Sequence, residues 1–176
     1  IYDYIFKNLL TRDVAYDSLL FLHRREYHRR IGICIEDIYS VSLSEWYEEL
    51  ARHFDQSEDD KRAINYLGKA GDKAYDLYAN ESADGYYTRA LNRADAENDP
   101  DNRYKLLNMR SKVYAIIGLG DEQKSDLDEM IDQAGKRGDL KDQVSTYSNL
   151  ARYYTRIHDL GNTKIVIDNA IKILKN

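Results

Sequence analysis

Apolar residues along this chain recur mostly at three- and four-residue spacing, and the alternation expected of strands is scarce. That period predicts helix nearly throughout. The predicted helices span about 12–38, 43–54, 60–79, 81–96, 102–117, 122–137, 142–157 and 161–175. Between them lie recognisable breaks. Val41-Ser42-Leu43-Ser44 offers serine N-caps, and Asp55-Gln56-Ser57-Glu58-Asp59-Asp60 is a polar turn whose acids favour the next helix N-terminus. Asn80 is expected to end one helix in a left-handed conformation. Asn98-Asp99-Pro100-Asp101 holds the only proline between two helices, and Gly118 and Gly138 close two more. Such short connections make successive helices antiparallel neighbours.

The pattern also repeats. Ala83, Tyr87 and Ala90 align with Gln123, Leu127 and Met130, and then with Thr163, Ile167 and Ala170, each step being 40 residues (123 − 83, 163 − 123). In the preceding helices Arg110-Ser111 with Tyr114 matches Leu150-Ala151 with Tyr154. An earlier copy runs Leu50-Ala51, Phe54, Ala63, Leu67 and Ala70, and residues 60–79 read as one long helix shared between two hairpins. Small residues mark where two helices cross closely, and the aromatic three residues on fills the space beside the crossing. One hairpin cannot bury its apolar stripe, whereas stacked hairpins share a core. The fold class expected is therefore all-α, an α-solenoid of antiparallel helix pairs, with a plain helical bundle as the alternative. The expected division is an N-terminal helical segment, 1–40, followed by a repeat domain, 41–176.

Composition sharpens this. The 176 residues include one proline, nine glycines and 16 tyrosines, too few turn formers for a β-sandwich or barrel. The lone Cys34 excludes a disulfide framework and fits a reducing, cytoplasmic setting. No apolar run approaches the roughly 20 residues of a membrane span. Starting at Ile1, the sequence reads as a piece of a longer protein.

The net charge of -5 argues against nucleic acid as a partner. One basic cluster stands out, His23-Arg24-Arg25-Glu26-Tyr27-His28-Arg29-Arg30. It is read as the wet face of a helix whose buried stripe is Tyr16, Leu20, Tyr27, Ile31 and Ile38, with a nucleic-acid or phosphate contact as the alternative.

Two family resemblances follow. The pattern Leu-small-x-x-aromatic, then Ala-x-x-x-apolar-x-x-Ala, as in Leu50-Ala51…Phe54…Ala63…Leu67…Ala70 and Leu150-Ala151…Tyr154…Thr163…Ile167…Ala170, resembles the tetratricopeptide repeat. Arg110, Ser111, Gln123 and Met130 depart from that family's pattern, and the step of 40 exceeds its usual 34 residues. Upstream, Phe6-Lys7-Asn8-Leu9-Leu10-Thr11-Arg12-Asp13-Val14-Ala15-Tyr16-Asp17-Ser18-Leu19-Leu20, then Arg24-Arg25-x-Tyr27-His28-Arg29-Arg30-Ile31, is similar to a junction in large bacterial signalling proteins. In those proteins an AAA-like ATPase, often fused to a class III adenylate/guanylate cyclase domain, precedes tetratricopeptide repeats.

Catalytic chemistry is not found. No phosphate-binding Gly-x-x-x-x-Gly-Lys-Ser/Thr occurs, and Gly118-Leu119-Gly120 reads as a turn. His23 and His28 lack metal-ligand spacing, and Glu58-Asp59-Asp60 lacks that of a calcium loop. Cys34, within Ile33-Cys34-Ile35, is read as a buried small hydrophobe. No cofactor, metal or catalytic residue is assigned.

The tetratricopeptide resemblance implies a groove lined by the first helix of each pair, which here would present Lys105, Asn108, Lys112, Asn149 and Arg152. Those groups suit a carboxylate or a peptide backbone, and a merely solvated surface is the alternative. The function expected is a non-enzymatic protein-interaction or scaffold module of a signalling protein. Its partner is a protein or peptide, a second copy, or the parent's own ATPase or output domain. The rival expectation is an intramolecular regulatory domain that senses an inducer.

Overall fold

Helices in the second part of the chain start every 20 residues: α4 at Asp60, α5 at Asn80, α6 at Pro100, α7 at Gly120, α8 at Leu140 and α9 at Leu160. The structure, a computed structural model, describes residues 8–97 and 99–175. Among these residues everything regular is helical and no strand occurs. The full set is α1 (Leu9–Asp17), α2 (Phe21–Ile38), a 3₁₀ turn (Leu43–Trp46), α3 (Tyr47–Asp55), α4 (Asp60–Asp76), α5 (Asn80–Glu97), α6 (Pro100–Ile117), α7 (Gly120–Arg137), α8 (Leu140–Arg156) and α9 (Leu160–Lys175). Asn98 and the leading residues of the junction motif, Phe6 and Lys7, lie outside the described residues.

One local device sets the 20-residue rhythm. Each connection carries the same backbone hydrogen bond, from the amide of residue 79, 99, 119, 139 or 159 to the carbonyl five residues earlier (Ala74, Ala94, Tyr114, Ala134, Tyr154). This is a Schellman closure, which turns the chain through a left-handed residue. The left-handed residues seen are Tyr78, Gly118, Gly138 and His158. Asn80 was expected in that role; the turn instead falls two residues earlier and Asn80 opens α5. Side-chain caps start several helices. Asp99 accepts from the Asn102 amide with Pro100 in the first turn, and Asp139 accepts from the Asp142 amide. The serine caps expected at 42–44 do not form: Ser42 makes no side-chain cap bond, and Trp46 precedes α3.

The contacts define two compact units, residues 1–66 and 67–176; the expected boundary at 40/41 falls inside the first. In the first unit, α2 packs on α3 where Gly32 admits the Phe54 ring; a Cβ on Gly32 would fall 2.7 Å from it. Phe54 stacks in turn on Tyr66 with ring centroids 5.4 Å apart. Leu50, Ala51 and Ala63 are fully buried around it. The predicted helix 12–38 is broken at Ser18–Leu20, which changes the phase of α2. As a result Tyr16, Leu20, Tyr27, Ile31 and Ile38 do not form a buried stripe; each is at least 40% exposed, and the buried residues of α2 are His28 and Gly32. Cys34 is likewise exposed rather than buried.

The second unit is a stack of antiparallel helix pairs, each packed on the next in chain order, so the α-solenoid expectation is met. Its core uses the predicted repeat positions, both the small ones and the apolar residues aligned with them. Ala70, Ala83, Ala90, Leu127 and Met130 are fully buried. Gly71, 40 residues before Ser111 and 80 before Ala151, is a crossing point that the sequence reading passed over. The Tyr87 ring lies against it, and a Cβ there would come within 2.6 Å of that ring. Burial thins at α9: Ile167, Ile171 and Leu174 are exposed, because no helix follows α9 among the described residues to cover the face that α8 covers on α7. No helix among the described residues is long and apolar enough to cross a membrane.

Candidate functional site

Lys105, Asn108 and Lys112 follow one another on α6 at three- and four-residue spacing, which places them on one helix face. Asn149 and Arg152 do the same on α8. Tyr104 joins the two helices beneath. Its hydroxyl lies 3.0 Å from the Asp142 carbonyl and 2.9 Å from Thr146 Oγ1, with Thr146 itself fully buried. Burial is also the main reason the Tyr104 phenol is pushed above its ordinary pKa, so it stays a neutral hydrogen-bonding bridge.

Three of the five expected groove residues form one chain of hydrogen bonds. Arg152 Nη1 lies 3.3 Å from Asn149 Oδ1, and Asn149 Nδ2 lies 3.3 Å from Asn108 Oδ1. A guanidinium only donates, so Asn149 must turn its carbonyl oxygen to Arg152 and its amide nitrogen to Asn108. Asn108 then accepts through its oxygen, which leaves its own Nδ2 as a donor. Lys112, exposed on the same face of α6, reaches only Met109 Sδ at 3.4 Å, and Lys105 is exposed. Among the described residues none of Lys105, Lys112 and Arg152 is in an ion pair. The face therefore presents three cations and an amide donor, and each of its two amide oxygens already accepts one hydrogen bond.

The departures at Arg110 and its neighbours have a structural cause. Arg110 reaches across from α6 to α7 and bonds Asp126 with two nitrogens, Nε to Oδ2 at 3.0 Å and Nη2 to Oδ1 at 2.7 Å. Its third nitrogen donates to Thr88 Oγ1 on α5 at 2.9 Å. The Asp126 side chain is 5% exposed and that of Arg110 is 17% exposed. An ion pair held by a fork-shaped contact thus replaces an apolar contact in the interior. Burial pushes the Asp126 carboxyl above its usual range, and Arg110 opposes that shift.

The first unit holds a second cluster that the sequence reading did not assemble. His23 and His28, which lack metal-ligand spacing in the sequence, do not meet: His23 lies beside Tyr27, and His28 meets His53 of α3. The two are 25 residues apart with no motif around either, so no local signal announces them. Among the described residues, no group of three or more histidine, cysteine or carboxylate side chains could hold a metal ion.

The fold and these packing features define an all-α helical-repeat protein. No protein-family model matches the chain, and no curated protein matches it in sequence. Among solved structures it is similar to BtubC (BKLC) from P. vanneervenii, with 16% identity, 97% of this chain and 75% of that chain covered, and a TM-score of 0.65. At that identity the likeness shows the fold alone.

Proposed function

We propose that this chain is a non-enzymatic interaction module whose α6–α8 face captures an acidic or backbone-exposing segment of a protein partner. The observation that supports this reading is the directed chain from Arg152 through Asn149 to Asn108. It leaves the face with donors and positive charge while each of its amide oxygens already accepts one hydrogen bond. A peptide carboxylate or an extended backbone offers acceptors to those donors, and charge-assisted bonds of this kind are the stronger class. The tetratricopeptide and ATPase-junction resemblances support a place in a cytoplasmic bacterial signalling protein with an ATPase and, in one form, a class III cyclase.

The test uses synthetic peptide arrays of matched length with acidic, neutral and basic composition. Acidic peptides should be retained by the chain and lost when Lys112 and Arg152 are both replaced by glutamate with helicity intact. Equal retention of basic peptides would remove the reading.

A second reading, regulation of an attached ATPase or cyclase, is supported by the exposed Leu9, Leu10 and Val14 on α1, an element with no buried residue. Turnover of the parent protein with and without residues 41–176 separates the two, since an interaction module alone leaves the rate unchanged.

A further inference from the structure

Residues of α1, α2 and α3 line a half-open cleft of about 540 Å³, a size within the range of small-molecule sites. A fixed sequence of hydrogen bonds ends at its wall. Arg52 Nη2 lies 3.0 Å from His53 Nε2, and since a guanidinium only donates, that ring nitrogen is an acceptor. A neutral imidazole then carries its proton on the other nitrogen, so His53 Nδ1–H donates to His28 Nδ1 at 2.9 Å. His28 in turn is protonated on Nε2 and donates to the Tyr16 hydroxyl oxygen at 3.1 Å. Tyr16 Oη is therefore an acceptor in this chain, and its own O–H is left without an acceptor among the described residues. Tyr16 lines the cleft.

The rest of the wall matches that donor. Arg12 and Arg52 each engage a carboxylate, Asp13 or Glu49, through Nε and Nη2, which leaves Nη1 of each unengaged. Arg24 is different. Its nitrogens bond Asp17 and the Asp17 and Leu19 carbonyls, and its guanidinium carbon lies 4.7 Å from the centre of the Tyr16 ring, so it fixes that ring in place. Three arginines and one aspartate therefore line the space, and Leu19, Tyr27 and Ile31 make it apolar on another side.

We propose that this cleft binds a small amphipathic anion, a flat apolar body bearing one carboxylate. The carboxylate sits on the Tyr16 hydroxyl and a neighbouring guanidinium, and the body lies against Tyr27 and Ile31. This site is separate from the α6–α8 face and independent of its reading.

The experiment is an amide-resolved NMR titration of the whole chain with benzoate, benzamide and benzylamine as probes. Benzoate should give saturable shifts confined to α1, α2 and α3, with benzamide binding about tenfold or more weakly, as expected for loss of a charged hydrogen-bond partner. Benzylamine should give none. Tyr16→Phe should weaken benzoate by about tenfold on the same basis. Arg12→Glu alters an exposed side chain, leaves the histidine chain untouched, and should abolish the shifts. Absence of saturable benzoate shifts, equal binding of benzamide, or shifts that persist in Arg12→Glu would each overturn the proposal.

Discussion

His53 donates its Nδ1 hydrogen to His28 Nδ1 across 2.9 Å, and both rings are buried. Each nitrogen of the pair that could take another proton already accepts a hydrogen bond: His28 Nδ1 from His53, and His53 Nε2 from Arg52. Any further proton must break one of these bonds. Burial and the nearby Arg52 lower both pKa values, that of His53 from 6.5 to about 4. The unfolded chain therefore binds more protons than the folded one between those values, and stability rises with pH across that window. The contribution is complete above about pH 6.5 and falls as the pH drops toward 4, with a loss of about 2 kcal/mol near pH 5 for His53. Urea unfolding at several pH values should show this slope, and His53→Leu should flatten it. A wild-type slope in the variant would mean that the pair does not titrate as argued.

Two glycines inside helices should respond in opposite directions to alanine. Gly71 faces the Tyr87 ring, and a Cβ would meet it at 2.6 Å; that ring is fully buried and its hydroxyl donates to Asp72 Oδ1 at 2.7 Å, so it cannot retreat freely. Gly71→Ala should cost about 1–3 kcal/mol through overpacking. Gly85 has open space where its Cβ would be, so Gly85→Ala should gain about 0.5–1 kcal/mol from helix propensity. Thermal melts of both variants check the pair, and equal shifts would contradict the crossing at Gly71.

The bidentate Arg110–Asp126 contact makes a similar two-way prediction. Asp126→Ala strands a mostly buried guanidinium and should destabilise by about 3–5 kcal/mol. Replacing both residues with leucine removes the desolvation cost along with the attraction, and the double variant should return close to the wild-type stability or exceed it. A double-mutant cycle read by denaturant unfolding measures this. Additive single losses would show that the two side chains act independently.

Much of the helix-pair stack was legible because it rests on local rules. The three- and four-residue period and the 40-residue recurrence of small residues are visible without knowing what touches what, and Ala83, Ala90 and Met130 fall in the core as expected. The first unit was harder to read. Ser18, Leu19 and Leu20 break a helix without glycine or proline, and that break moves α2 from its predicted apolar stripe onto His28 and Gly32. Arg110 was visible as a departure, but its partner Asp126 lies 16 residues away, and nothing in its neighbourhood marks it as buried. The groove residues were placed by repeat position; which amide oxygen faces which donor emerges only from the geometry.

The left-handed turns show the same division, and they yield a last prediction. Gly118 and Gly138 occupy this conformation with φ of 83° and 67°, as a glycine after a helix suggests. Tyr78 and His158 occupy it with φ of 59° each, 40 residues before and after Gly118, where a side chain adds steric cost. Both are exposed, so no packing is lost on truncation. His158→Gly should therefore stabilise the chain by on the order of 1 kcal/mol, less the added freedom glycine gives the unfolded state. Gly118→Ala should destabilise by a similar amount, because its Cβ meets no neighbour and the whole effect comes from the backbone. Melting temperatures that move up for His158→Gly and down for Gly118→Ala would tie the 20-residue rhythm to these closures. A fall in both would mean that the His158 turn is held by contacts of its side chain.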